Sequence, residues 1–426
     1  LLYCYIACSF GSNKNNVLNI AFYIAKHIAF NRQKSFSRFI IRLSAAATAI
    51  SVMAMIVTIA FVNGFQKTVS EKVFSFWGHI HVQHYEQTKV LMAQESAIEK
   101  NDTVEQIIKH QPGVNNIQAF ATRSAVLQYK KEIDGILLKG IESSYNSTKL
   151  KPFIKKGRWL QFNNSTYSKE IIISEPIAKE LQLDVDDTLS IYFVTNGGAS
   201  AARHLKIAGI YKTGIDEYDK LYAISDIRLI QRINGWNNNQ IGGYEVFLND
   251  YHKMDTINEQ ILNKIPAVWQ SQTIKDVNST IFDWLNTQDV NRNLIIVIMA
   301  IVAVINLITC LLILVLERTR MVGILKALGA RNNIIQLVFL YQATFITLTG
   351  IGIGLIAGVG LCLLQQYTGI ITLNEELYAI ATAQVDLVWW QVALICIATA
   401  VVCFASLIIP TLLVKNIKPI KAIQFR

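Results

Sequence analysis

Four long apolar runs punctuate the chain, at residues 43–65, 294–316, 334–364 and 388–414. The first is free of charge over about 20 positions, the length a helix needs to cross the hydrocarbon core of a bilayer. Between the first and second runs, residues 66–293 change to short segments that alternate or repeat at helical spacing. A strand is predicted at residues 79–85, Asp102 can cap a helix through about His110, and strands follow within 117–141. Near the far end the same order recurs, with a strand at 244–248, a helix near 255–264 and a strand near 268–273. Two such units flanking an insertion predict a two-lobed domain, one lobe being completed by both ends of the segment. The insertion is richer in strands, at 170–173, 188–194 and 205–211, with a helix capped by Ser174 that carries Pro176, Ile177, Leu181 and Leu183. The predicted fold class is an α-helical membrane protein with four transmembrane helices, split one plus three. A large α+β extracytoplasmic domain is inserted between helices 1 and 2.

Charge assigns these elements to two sides of the membrane. Of 40 Lys and Arg, 14 fall in residues 14–42, 317–333 and 415–426, beside one acid, Glu317. The segment 66–293 balances 26 basic against 26 acidic residues. The net charge of +10 is thus a positive-inside signal. A nucleic-acid binder would spread that excess over a soluble domain, so nucleic acid is not an expected partner. Residues 18–42 predict an amphipathic basic helix on the cytoplasmic surface, and residues 415–426 a cytoplasmic tail. Residues 365–387 form an outer loop with Glu375, Glu376 and Asp386 and no base, and Trp389 and Trp390 mark the interface. Residues 1–17 lack the basic start of a signal segment, and the chain reads naturally from about Leu18.

Within the spans, glycine and the sulfur-bearing and aromatic residues carry the remaining information. Gly350, Gly354 and Gly358 repeat at small-xxx-small spacing, with Gly352 and Gly360 between and beyond them, and predict close helix packing. Met53, Met55, Phe61 and Phe65 are either lipid contacts or a substrate-facing group. Cys310, Cys362, Cys396 and Cys403 all lie in spans, and residues 66–293 have no cysteine, so that segment folds without disulfides or thiolate metal sites. No G-x-x-x-x-G-K-[ST] occurs, and no H-E-x-x-H or paired Cys-x-x-Cys. His79, His81 and His84 share one predicted strand, where a metal would need ligands from elsewhere. No cofactor, metal site or catalytic group is expected in this chain.

Between the second and third runs, residues 317–333 form a short basic helix. Met321, Val322, Ile324, Leu325 and Leu328 recur at helical spacing among Arg318, Arg320, Lys326 and Arg331. Such a helix either lies on lipid headgroups or docks into a cytoplasmic partner. Its wording, E-R-T-R-x-x-G-I-L-K-A-L-G-A at 317–330, resembles the cytoplasmic loop of the FtsX/MacB/LolC–LolE permeases, four-helix membrane subunits of ABC transporters. G-R-W-L at 157–160, I-I-I-S-E-P-I-A-K-E-L-Q-L at 171–183 and I-A-G-I-Y at 207–211 look like the periplasmic domain of the same family. G-I-D-E-Y-D at 214–219 resembles the lipoprotein-releasing LolC–LolE branch.

The resemblance implies a coupling helix, with Glu317, Arg318, Arg320, Gly323, Lys326, Leu328 and Gly329 as its working residues. It implies a separate cytoplasmic ABC ATPase that binds ATP and Mg, and a second permease subunit, either a copy or a paralogue. Residues 66–293 would be a MacB-like periplasmic core domain and 294–414 an FtsX-like permease domain of a bacterial inner-membrane protein. Both termini would be cytoplasmic. Gly323 and Gly329 would allow close backbone approach, and the mechanism would be mechanotransmission that releases a lipoprotein from the membrane. Residues 195–204 would be the hairpin that receives a periplasmic carrier in one subunit of that branch, but here they are short and lack a large apolar tip. The alternatives are MacB-like export of peptides or drugs, and FtsX-like signalling to a cell-wall hydrolase.

Overall fold

The computed structural model describes residues 36–84, 97–130, 132–163, 166–194, 200–374 and 378–406. Most of the amphipathic segment 18–42, residues 195–199 of the hairpin, Glu375 and Glu376, the end of the fourth run and the basic tail lie outside the described residues. In chain order the helices are α1 (Phe36–Trp77), α2 (Asp102–Lys109), α3 (Glu175–Glu180), α4 (Asp216–Asp219), α5 (Ile227–Asn234) and α6 (Met254–Leu262). They continue with α7 (Ile274–Val277), α8 (Ser279–Glu317), α9 (Thr319–Ala327), α10 (Asn332–Thr368) and α11 (Trp389–Ser406). The chain divides into two compact units. One falls within residues 1–65, 286–371 and 383–426, the other within 66–285 and 372–382.

Among the described residues, four helices (α1, α8, α10 and α11) are long and apolar enough to cross a membrane. Two of them outrun their apolar stretches. Helix α1 continues past residue 65 because Val69, Val73, Phe76 and Trp77 keep a buried stripe at helical spacing. Helix α8 begins at Ser279, well before residue 294, for the same reason: Ile281, Phe282 and Leu285 are buried. Helix α10 stops at Gly369, whose left-handed φ of 59° lets its N–H reach back to Gln365 O.

The other unit holds strands β1 (Ile80–His84), β2 (Ile98–Glu99), β3 (Val114–Tyr129), β4 (Glu132–Ile141), β5 (Ile154–Gly157) and β6 (Glu170–Ser174). They are followed by β7 (Thr188–Val194), β8 (Ser200–Tyr211), β9 (Tyr222–Asp226), β10 (Gln240–Ile241), β11 (Gly243–Leu248) and β12 (Trp269–Thr273). The main sheet runs β12-β1-β11-β3-β4-β9-β6-β8-β5, with β7 pairing β3 and β8. The β4–β9 and β6–β8 pairs are parallel. Strands from the two ends of the segment do meet: β1 pairs β12 in the register Ile80↔Thr273 to His84↔Trp269.

The expectation of two lobes is corrected, because β3 is 16 residues long. Its first half pairs β11, its second half pairs β4 and β7, and one sheet therefore carries both parts. The cap of α2 is also corrected from Asp102 to Asn101, whose extended backbone lets its side chain accept from Val104 N. Ser174 caps α3 by accepting from Ile177 N.

Candidate functional site

The segment 317–330 folds as the end of α8, a break and then α9. Arg318, with φ −97° and ψ 16°, separates the two helices. Val322 is fully buried in a cluster with Leu311, Leu314 and Val315 of α8 and Ile335 and Phe339 of α10, and Met321 and Leu325 pack against it. Gly323 is buried as well. The opposite face is exposed: Ile324 at 47% and Leu328 at 42% stand in the open, with Arg320 and Arg331 exposed beside them. Glu317 is exposed, and Arg318 and Lys326 are half-buried. The arrangement is a helix welded to the span core by one stripe and presenting an apolar pair with a cationic rim.

Among the described residues of this chain Gly329 packs against nothing. A Cβ there would meet nothing within 4 Å, and φ is +89°. Gly329 N donates to Lys326 O and Ala330 N to Leu325 O, the paired bonds of a left-handed helix stop. The residue ends α9 and turns the chain into α10.

The span glycines divide by face. A Cβ on Gly350 would lie 2.8 Å from Thr48 Cβ, one on Gly354 2.6 Å from Ala49 O, and one on Gly358 3.2 Å from Ile56 Cβ. Gly352 and Gly360 have nothing within 4 Å of that position. The first three therefore meet α1 through its small-residue half. Met55 is 1% exposed in a cluster with Val52, Ile56, Cys362, Val392 and Ile395, so it is core and not a lining residue. Phe65 is also buried and lies 6.1 Å from Phe61 by ring centroid, while Met53 and Phe61 are half-buried.

In the outer domain the end of α1 is held by charge. Lys139 of β4 donates to Phe76 O and lies 2.5 Å from Glu245 Oε1 of β11, both side chains fully buried. Its ammonium sits 4.3 Å from the Trp77 ring centroid and 4.9 Å from that of Phe76. Burial pushes the Glu245 carboxyl up, opposed by Lys139 and by the Tyr145 hydroxyl, which donates to Glu245 Oε2 at 3.3 Å.

The two histidines of this region are neutral structural groups. His81 bonds Trp77 O at 2.9 Å and is lowered to about 4, mainly by burial and then by Lys139. His79 Nδ1 accepts from Leu248 N at 3.1 Å, and burial followed by Lys149 lowers it to about 3. His84 lies edge-on to Trp269. Among the described residues no group of three or more His, Cys, Asp or Glu is placed to hold a metal ion.

Within G-I-D-E-Y-D, Asp219 is 2% exposed and accepts from Thr213 N at 3.0 Å, Thr213 Oγ1 at 2.8 Å and Gly214 N at 2.8 Å. The carboxylate builds a tight turn after β8. Lys139 and Glu245 went unread in the sequence. The available signal was weak, a single lysine inside the otherwise apolar run I-L-L-K-G-I.

Comparison with known proteins matches residues 293–419 to the FtsX-like permease C-terminal family. Residues 43–264, more than half of the chain, match the MacB-like periplasmic core domain. The chain is 20% identical over 422 residues to the lipoprotein-releasing system transmembrane protein LolE of Haemophilus influenzae, covering 96% of this chain and 100% of that one. It is 22% identical over 427 residues to the corresponding LolC protein of Neisseria meningitidis, covering 94% and 97%. It is 24% identical over 260 residues to the macrolide export ATP-binding/permease protein MacB of Acinetobacter baylyi, covering 60% of this chain and 39% of that protein.

Proposed function

This chain belongs to the FtsX/MacB family of permeases, and on that premise we propose that it is the membrane subunit of an ABC transporter that releases lipoproteins from the bacterial inner membrane. The observation that carries the cargo assignment is the end-to-end likeness to LolE and LolC proteins, against a MacB likeness that spans 39% of that protein. No phosphate-binding loop occurs in residues 1–426, and in this reading a partner ATPase supplies the energy.

In this reading the ATPase docks on the exposed face of α9, which offers Ile324 and Leu328 for apolar contact and Arg320 and Arg331 for charged contact. Val322 and Gly323, buried on the other face, pass the movement of α9 to the span core. A second permease subunit, a copy or a paralogue, completes the pair. The termini are cytoplasmic, and the rearranging outer domains drive the lipoprotein out of the bilayer. Extraction costs about 0.8 kcal/mol per buried CH₂, so three acyl chains amount to tens of kcal/mol in gross terms. That is beyond thermal release and calls for ATP.

The test is depletion of the protein, followed by membrane fractionation of a lipoprotein destined for the outer membrane. The lipoprotein should accumulate in the inner membrane, and a Leu328→Glu variant at equal abundance should fail to restore sorting, because it puts a charge in the exposed apolar pair. Normal sorting together with altered drug sensitivity or cell separation would overturn the cargo assignment.

A further inference from the structure

Lys72 lies on the part of α1 that belongs to the outer domain, and its ammonium donates to two backbone carbonyls, Thr213 O and Ala379 O. Three stretches far apart in the sequence meet at this one nitrogen: a helix, the turn after β8, and the connection between α10 and α11. Each acceptor is itself held in place. Thr213 is pinned by Asp219, whose carboxylate takes both the Thr213 and Gly214 N–H groups. Ala379 sits in the left-handed region at φ 60°, a conformation an alanine adopts only under constraint. Around it Thr372 bridges Thr382, Leu373 N donates to Ala381 O, and Ile380 is 2% exposed. An ammonium on a four-carbon stem, with three donors and no planar preference, suits two carbonyls that approach from different segments.

We propose that Lys72 is a positioning residue that fastens the α10–α11 connection to the outer domain, and that G-I-D-E-Y-D exists to present one of its two acceptors. Bound in this way, the connection carries movement to the outer domain instead of absorbing it as slack. The inference rests on the transport reading above.

Its test uses the full transporter reconstituted in vesicles with its ATPase and a lipoprotein, comparing wild type, Lys72→Met and Lys72→Arg. Methionine keeps the stem and removes the donors. ATP hydrolysis should persist in Lys72→Met while lipoprotein released per ATP falls severalfold, and Lys72→Arg should recover most of it. Hydrogen exchange gives a cargo-independent reading: protection of residues 378–382 should fall by at least about tenfold in Lys72→Met, the factor for losing one charge-assisted hydrogen bond. Release and hydrolysis falling in equal proportion, an unchanged ratio, or unchanged exchange would each overturn the proposal. If wild type releases nothing while exchange still responds to Lys72→Met, the transport reading falls and the fastening stands.

Discussion

Lys139 and Glu245 show what a single buried pair does in this domain. The two charges are 2.5 Å apart with no exposure, and the ammonium also caps the C-terminal end of α1 at Phe76 O, where the helix dipole favours a cation. Removing one partner strands the other charge out of water, at a cost of about 3–5 kcal/mol. Lys139→Met should therefore destabilise the outer domain by that amount in denaturant unfolding followed by tryptophan fluorescence. Lys139→Met combined with Glu245→Gln should recover most of the loss, because neither site then holds a lone charge. Equal destabilisation in the single and double variants would show that packing, not charge, is at stake. Neither residue stood out in the sequence, because a lysine in a strand is ordinarily on the solvent face and its partner comes from a remote strand.

At the scale of the element, α10 is informative because its glycines look alike and behave differently. Gly350, Gly354 and Gly358 share the face toward α1, whereas Gly352 and Gly360 look into open space. Gly354→Ala forces a Cβ to 2.6 Å from Ala49 O, a backbone atom that cannot swing aside. Overpacking of this kind costs about 1–3 kcal/mol. Gly352→Ala, by contrast, removes a helix-weakening glycine and should stabilise by about 0.5–1 kcal/mol. Thermal unfolding of the two variants in detergent should move in opposite directions, and a shared direction would refute the facial assignment. The spacing in the sequence supports this packing, but five glycines offered more than one stripe. Only the position of α1 separates them. Gly329 makes the same point, since its positive φ makes it a helix stop, which only the backbone conformation shows.

For the whole molecule, acid should be destabilising through histidines buried in neutral form. Burial holds His79 at about 3 and His81 at about 4, both below the ordinary 6.5. As pH falls below about 6.5 the unfolded chain takes up protons that the folded chain refuses, so stability drops by up to ~1.4 kcal/mol per pH unit for each residue. The loss continues until the folded pKa is reached, and above about pH 7 neither histidine contributes a slope. Glu245 and Asp219, raised by burial, act in the opposite sense, so the clean measurement is a difference. Between about pH 7 and pH 5, wild type should lose more stability than His81→Gln, which keeps a donor for Trp77 O. Parallel pH curves would show that the fold leaves the His81 pKa at its ordinary value and would overturn the assignment.

The sequence by itself determined the membrane class, the one-plus-three split and the outer α+β domain. A helix that crosses lipid must be long and nearly free of charge, and the positive-inside bias is a matter of counting along the chain. It also located α9, because a basic amphipathic helix between two spans declares itself by local spacing. The tertiary structure decided the rest. The continuation of α1 to Trp77, the merging of the outer strands into one sheet through β3, the placement of Met55 in the core and the Lys72 and Lys139 contacts all depend on partners distant in sequence. Hydrophobic period and charge are properties of neighbours along the chain. Strand order, the faces of glycines and the partners of buried charges are set only when remote segments compete for the same space.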